Sequence, residues 1–387
     1  MIVSSVVGSR VPDTRMTPPR PLRIAILGTR GVPPRYGGFE TFVSELGQRL
    51  SLRGHAVTIY SSRQHGAGVG EIWQGIRRVE VGAIRHKYLE TVSRTFLSSI
   101  DALQQSFDVA LICNAANAFV LPLFRAARIP VAMNVDGIER KRRKWNVLGR
   151  ATYLAGEAFS AGFADRVVAD AQVIADYYEK SLAVRSVVIP YGSEFPVAEA
   201  DSDILGTLGV SASQYILYVS RFEPENNPLA VVEAYARVAT SLPLVMVGDA
   251  PYSRELIDEL KQKADDRVIL PGAIYGNDYR TLQRNALFYV QATEVGGTHP
   301  ALIEAMGSGG AVLANGTPEN REVGGDAVGY FEVEDRESLA TAMRNWLAAE
   351  SLDEWRRKAR SRAKELYSWD AVTDAYERLF LELAEGA

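Results

Sequence analysis

Short apolar runs alternate along this chain with longer stretches in which apolar positions recur every three or four residues. Arg23-Ile-Ala-Ile-Leu27 reads as a strand ending in the glycine turn Gly28-Thr-Arg-Gly31. A loop with Pro33, Pro34 and the pair Gly37-Gly38 follows, and Phe39, Phe42, Val43, Leu46 and Leu50 then fall at helical spacing. Gly54 caps that helix and Ala56–Tyr60 is the next strand. A strand–helix–strand run of this kind predicts a right-handed parallel unit. Further strands are predicted at Gly75–Ala83, Val109–Cys113, Val131–Val135 and Arg166–Ala169, and Val187–Gly192 closes the first half.

Residues 193–212 are acidic and poor in apolar pattern, as a linker is. A second alternation begins with the strand Tyr215–Val219 and the helix Pro228–Thr240, then the strand Leu244–Val247 and the helix Ser253–Ala264. It continues through strands at Val268–Leu270 and Leu287–Ala292, the helix Pro300–Gly307 and the strand Ala311–Ala314. The last segment, Leu352–Leu383, is helical. The expected organisation is a tail over 1–21 and a parallel α/β domain over 22–192. The linker and a second such domain over 213–367 follow, and a C-terminal helix at about 368–387 packs back on the first domain. Ligands of open α/β sheets sit at the carboxyl ends of the strands. The glycine turns of both halves fall there, so they are expected to face each other across one cleft.

At 387 residues the chain is too long for one ordinary core, which agrees with two domains. A net charge of −4 argues against nucleic acid as a partner. Cys113 is alone and the four histidines, His55, His65, His86 and His299, are scattered, so neither a disulfide framework nor a zinc site is expected. No apolar run approaches the length of a membrane span. Residues 1–20 read as a disordered tail, or as the product of a start codon placed too early, with Met16 the true one; no signal-peptide core is visible, and the cytoplasm is expected.

Glu294-Val-Gly-Gly-Thr-His-Pro-Ala-Leu-Ile-Glu304 carries the densest chemistry. A buried strand leads through two glycines into a helix opened by Pro300, whose missing N–H suits the first helical position. Glycines let a ligand approach the backbone, and the helix start offers N–H groups and a positive dipole end to an anion. Glu304 lies about one turn inside, where a carboxylate accepts from hydroxyls. A phosphate site beside a hydroxyl acceptor suits a sugar nucleotide.

Several separated segments then point the same way. They are Gly28-Thr-Arg-Gly-Val-Pro-Pro-Arg-Tyr-Gly-Gly-Phe-Glu40, Ala164-Asp-Arg-Val-Val-Ala-Asp170, Val188-Ile-Pro-Tyr-Gly192, Ser220-Arg-Phe-Glu-Pro-Glu-Asn-Asn-Pro228 and Gly296–Met306. In order and spacing they resemble a glycosyltransferase of family 4, with the two-domain GT-B fold, from about residue 22 to 383. The details, Asn134-Val-Asp-Gly-Ile-Glu139 among them, are most similar to the branch of bacterial polysaccharide rhamnosyltransferases, a resemblance that supports sugar transfer better than it fixes the sugar. Three positions depart from the family pattern. Gly296 stands where the first of two paired glutamates is common, with Glu294 two residues too early. Asn226 stands in place of a lysine, and Asp136 in place of a histidine.

The resemblance implies transfer of a sugar, with retention, from a nucleotide diphosphate sugar donor to a saccharide or polyprenyl-linked acceptor, without metal or other cofactor. The first domain is then the acceptor side and the second binds the donor. Charge builds on the departing diphosphate, and positioned donors with a cation stabilise it. Arg221 is the expected cation, its other reading being a surface ion pair with Glu223 or Glu225. Gly37, Gly38, Asn226, Gly296, Gly297, Thr298 and His299 are expected around the phosphates and donor sugar, and Glu304 at the ribose. Asp136 has two readings: a carboxylate that positions a sugar hydroxyl or takes the acceptor proton, or a turn cap with Gly137. Glu139 and Asn134 are weaker candidates, and Tyr275 in the loop Gly272–Asn277 is a candidate for the base pocket. The basic run Arg140–Trp145 is either a solvated loop or a peripheral anchor to lipid headgroups at the inner face of the plasma membrane. Asp201-Ser202-Asp203 reads as solvated charge rather than a metal motif. Two competitors remain: a nicotinamide dehydrogenase, opposed by the absence of G-x-G-x-x-G spacing after the first strand, and a catalytically inactive nucleotide-sugar-binding protein on the same fold.

Overall fold

The structure is a computed structural model that describes residues 20–34, 37–63, 69–84, 90–142, 145–195, 202–250 and 254–386. Most of the expected tail, Arg35, Tyr36, His65, His86, Arg143, Lys144, Asp201 and Ser253 lie outside the described residues.

In the first half the strands are β1 (Arg23–Leu27), β2 (Ala56–Ser62), β3 (Ile72–Trp73), β4 (Ile76–Val81), β5 (Val109–Cys113), β6 (Val131–Asn134), β7 (Arg166–Ala169) and β8 (Val187–Val188). They form one sheet in the order β3-β4-β2-β1-β5-β6-β7-β8. All neighbours are parallel except β3 and β4, an edge hairpin whose two-residue turn, Gln74-Gly75, has positive φ at both residues. Strand β1 lies between β2 and β5, with Ile24 opposite both Val57 and Val109. Strand β5 is buried throughout, which is why it reads as a continuous apolar run. Helices α1 (Gly38–Leu52), α2 (Glu90–Leu103), α3 (Leu121–Ala126), α4 (Val147–Phe163) and α5 (Gln172–Leu182) accompany this sheet.

A short helix, α6 (Ile204–Leu208), interrupts the expected linker, closed by Gly209 in the left-handed conformation. The second sheet consists of β9 (Ile216–Val219), β10 (Leu244–Val247), β11 (Val268–Gly272), β12 (Phe288–Gln291), β13 (Val312–Asn315) and β14 (Gly329–Phe331). It is wholly parallel, in the order β11-β10-β9-β12-β13-β14. Its helices are α7 (Pro228–Tyr235), α8 (Arg254–Lys263), α9 (Gly276–Asn285), α10 (Pro300–Gly307), α11 (Pro318–Gly324) and α12 (Arg336–Leu347). Helix α7 stops short of Thr240, and β8 is shorter than the Val187–Gly192 segment read from the sequence. The two open parallel sheets are the α/β GT-B architecture expected from the sequence.

The terminal helical stretch is two helices, α13 (Asp353–Leu366) and α14 (Trp369–Glu385). The break has a local cause. The Ser368 side chain accepts from the Ala371 N–H to cap α14, while its backbone bridges to Ser193, whose N–H donates to the Tyr367 carbonyl at 2.7 Å. Helix α14 then lies on α1. It buries Trp369, Val372, Tyr376, Leu379, Phe380 and Leu383, a stripe at helical spacing. Phe42 packs against Tyr191, Trp369 and Tyr376, and the Asn134 amide donates to the Tyr376 hydroxyl at 2.9 Å. His55 and Glu377 meet at 2.8 Å on the same face.

Phe380 is fully buried in this stripe. Phe380→Ala is expected to lower stability by about 3–5 kcal/mol, the cost of removing a buried aromatic ring. Urea unfolding reads it, and an unchanged midpoint would show that α14 does not help to hold the first half.

Candidate active site

Both halves present glycine-rich turns at the carboxyl ends of their strands, and the turns meet. A Cβ on Gly38, the first residue of α1, would lie 2.7 Å from Pro300 Cγ, the first residue of α10. A Cβ on Gly137 would lie 2.5 Å from the Gly296 carbonyl carbon, and one on Gly297 would lie 2.0 Å from Asp170 Oδ1. Backbone therefore packs on backbone across the cleft, an approach that a side chain would block. The N-termini of α1 and α10 are brought together, and each carries a partial positive charge.

Two carboxylates tie the halves. Asp170, just after β7, accepts the Thr298 N–H at 2.8 Å, and its carbonyl accepts the Thr298 hydroxyl. In the other direction Glu322 of α11 accepts the Gln172 and Val173 N–H groups at 2.5 and 3.0 Å. It thereby caps α5, which has no side-chain cap of its own, at its positive dipole end. A cavity of about 280 Å³ lies beside these ties, lined by Asp170, Thr298, Glu322, Arg362 and Tyr367 among others. That is below the roughly 300–1,000 Å³ of ligand pockets.

Asp136 follows β6 with φ 58°, a left-handed backbone that Asp tolerates better than most residues. Its N–H donates to Asn134 Oδ1, and Oδ1 of its carboxyl accepts from the Tyr191 hydroxyl at 3.2 Å. Asn134 is thus occupied with shaping this turn and with Tyr376. Burial, then the neighbouring Glu139 charge, lifts the Asp136 carboxyl to about 6, against the opposing pull of Arg142, Tyr191 and Arg221. The residues singled out as catalytic, Asp136 and Arg221, are therefore close enough in space to feel each other. Burial and then Asp136 push the Asp170 carboxyl well above its ordinary range. Burial, with Arg142 nearby, drops His299 to about 3, so its imidazole is neutral at physiological pH.

Arg142 is the central cation of this cluster and was read from the sequence only as part of a basic run. It is buried, donates to Glu139 at 2.5 Å and reaches Glu223 and Glu225 of the second half at 3.6 and 3.5 Å. Arg140 of the same run is held by Glu157 and the Tyr177 hydroxyl, and Trp145 packs on Tyr153. Arg140, Arg142 and Trp145 thus have partners within the protein, and the two readings of the run, solvated loop or lipid anchor, fall to Lys141 among its described residues. Lys141 is exposed.

The donor candidates separate into two groups. Arg221 is 40% exposed and lies 3.7 Å from Glu223, so it keeps an accessible face. Gly296 is backed by the His299 ring, and Gly37 precedes α1 in extended conformation. Glu304 is oriented by the Tyr279 hydroxyl, which donates to Oε2 at 2.6 Å. Asn226 and Thr298 differ from expectation. The Asn226 amide donates to the Arg221 carbonyl at 2.6 Å and so shapes the turn that presents Arg221, while the Thr298 N–H and hydroxyl are both committed to Asp170. Tyr275 is exposed at the start of α9. Asp203 immediately precedes α6.

A buried carboxyl raised to about 6 binds its proton more tightly in the native state than in the unfolded chain. Its contribution to stability is therefore lost as pH rises from about 4 to about 6. Asp136→Asn, which keeps the left-handed backbone, is expected to raise the melting temperature near neutral pH, with the gain vanishing toward pH 4; melting curves across pH test this. Gly137→Ala places a methyl 2.5 Å from the Gly296 carbonyl carbon, so the halves must part. Transfer is expected to fall about a hundred-fold, and X-ray scattering to report a larger radius. An unaltered radius with full activity would remove the glycine contact from the account.

Comparison with known proteins supplies the family. Residues 36–193 match the model described as Glycosyltransferase Family 4, and residues 209–366 match that described as Glycosyl transferases group 1. The chain is 24% identical over 381 residues to O-antigen chain mannosyltransferase C of Escherichia coli, covering 91% of this chain and 96% of that one. It is also 24% identical over 305 residues to alpha-monoglucosyldiacylglycerol synthase of Streptococcus pneumoniae, 74% of this chain and 69% of the relative. Among solved structures it is similar to sucrose-phosphate synthase from Thermosynechococcus elongatus, with TM-score 0.82, 19% identity and coverage of 95% and 100%. Matches in both halves, around a cleft built by glycine turns and helix N-termini, place the chain in glycosyltransferase family 4, as a hexosyltransferase-type enzyme of GT-B fold.

Proposed function

We propose that the enzyme moves a sugar, with retention, from a nucleoside diphosphate donor to a hydroxyl of a saccharide or lipid-linked saccharide, in the synthesis of a bacterial surface polysaccharide or glycolipid. Rhamnose is the first sugar to test, on the resemblance of the motifs to the rhamnosyltransferase branch, which does not fix the sugar. The similarity to an O-antigen mannosyltransferase and to a glucosyldiacylglycerol synthase supports this class of acceptor. The observation that carries the reading is the meeting of α1 and α10 at Gly38 and Pro300. Two helix N-termini converge there on one space, and such ends attract phosphate without a metal.

In this reading Arg221, presented by the turn that Asn226 braces, neutralises charge on the departing diphosphate. Gly37, Gly38, Gly296 and Gly297 let the donor lie against backbone. Glu304, oriented by Tyr279, accepts from the ribose hydroxyls. Asp136 is ionised above about pH 6 and accepts from a donor-sugar hydroxyl, while neutral His299 touches the sugar. The chain works at the inner face of the plasma membrane, where a lipid-linked acceptor is found; no helix among the described residues is long and apolar enough to cross the membrane.

A thermal-shift panel with UDP, GDP, dTDP and ADP tests the donor site. The matching nucleotide at a hundred times its dissociation constant is expected to add about 2.7 kcal/mol of stability. Silence from all four, in protein that is folded, would sink the proposal. Arg221→Ala is expected to lower turnover about 10²–10³-fold, the scale of losing one donor to developing charge. Product release measured with the identified donor reads the effect, and a turnover within twofold of the parent would assign Arg221 to the surface.

A further inference from the structure

Helices α2 and α4 are amphipathic the wrong way round for a water-soluble domain. Helix α2 buries Arg94, Thr95, Ser98 and Ser99 and turns Phe96, Leu97 and Ile100 outward. Helix α4 buries Tyr153, Gly156, Glu157 and Ser160, while Val147, Leu148, Leu154, Phe159 and Phe163 are exposed, Leu148 by 75%. Most of the inward polar groups have partners, with Arg94 Nε an exception, so the reversal is built into the fold. Arg94 pairs with Glu90 at 3.2 Å, Thr95 donates to Asn117 at 2.8 Å, and Glu157 accepts from Tyr177 at 2.6 Å. Both helices pack on the short helical turn Ala115–Val120 and on α3, whose Leu123 is also exposed. Their outward faces therefore belong to one side of the molecule. Soluble monomers rarely leave apolar surface gathered in this way without a partner for it.

Charge identifies the partner. Among the described residues from 90 to 163 every exposed charged side chain is basic: Arg125, Arg128, Lys141 and Arg150. This stands against a chain whose net charge is −4. A second copy facing the first would set like charges together, whereas an anionic bilayer offers lipid to the apolar residues and negative headgroups to the basic ones. We propose that the outward faces of α2, α3 and α4 dock the enzyme on an anionic lipid surface. Helix α4 begins five residues after Arg142, so docking on it brings the cleft to the lipid. The proposal rests on the lipid-linked acceptor reading for its purpose, and its test does not depend on turnover.

The full chain is floated with vesicles of phosphatidylcholine containing phosphatidylglycerol, and with phosphatidylcholine alone. Binding is expected only to the anionic vesicles and is expected to weaken with salt. The double change Leu148→Asp and Phe159→Asp alters exposed positions and is expected to reduce binding at least about tenfold, with the nucleotide thermal shift kept. Arg150→Ser is expected to weaken binding about five-fold, the scale of one basic residue at such a surface. Leu52→Asp, exposed at the far end of α1, is expected to leave binding unchanged. Failure of the parent chain to float, or equal flotation of the double variant, overturns the proposal. So does a dimer in gel filtration that the double variant abolishes, if vesicle binding is absent. A nucleotide shift without vesicle binding removes the docking and leaves the transferase; vesicle binding without any nucleotide shift does the reverse.

Discussion

The cleft depends on a backbone contact that only glycine permits. Gly137 lies against Gly296 and Gly297 so closely that a single methyl would overlap the opposing chain. That approach lets Asp170 reach the Thr298 N–H and lets Glu322 reach the first turn of α5. Each half thus lends a carboxylate to N–H groups of the other. Backbone donors within a helix are satisfied locally, whereas those at helix starts and glycine turns are not. These unsatisfied donors are what the two halves use to recognise each other.

The same geometry concentrates charge where solvent is scarce. Asp136, Glu139, Asp170 and Glu225 share a small volume with Arg142, and burial raises the carboxyls of Asp136 and Asp170. Such an arrangement opposes stability, and a group buried at that cost is more commonly a working part of a site than a structural one. The arginine at its centre is held by carboxylates from both halves, so any separation of the halves exposes charge as well as backbone.

Much of this was legible in the sequence, and the remainder was hidden for physical reasons. Most of the parallel strands of both sheets could be read because strands buried on both faces are continuously apolar, whereas the short edge strand β14 was not read. Pro300 and the paired glycines marked helix starts because those positions need those residues. Asp170 and Glu322 could not be read, since their partners lie 128 and about 150 residues away and an isolated carboxylate carries no sign of a distant N–H. Arg142 was read as surface charge because it sits in a basic run, but the chain turns it inward while its neighbour Lys141 faces solvent. Thr298 looked like a phosphate donor for the reason it binds Asp170: a bare N–H at a helix start takes the nearest carboxylate. No helix was predicted over α2 or α4, whose apolar positions do not mark the side that faces the core.

The backbone crosses between the halves at Ser193 and again at Tyr367–Ser368, and these crossings are bonded to each other. A single crossing strand would act as a tether and allow bending, twisting and sliding alike. Two strands fastened side by side act as a paired pivot, in which one can neither lengthen nor rotate without the other. Relative motion of the halves is therefore expected to be a swing about this pair more than a twist or a slide, which would bring Gly137 back onto Gly296.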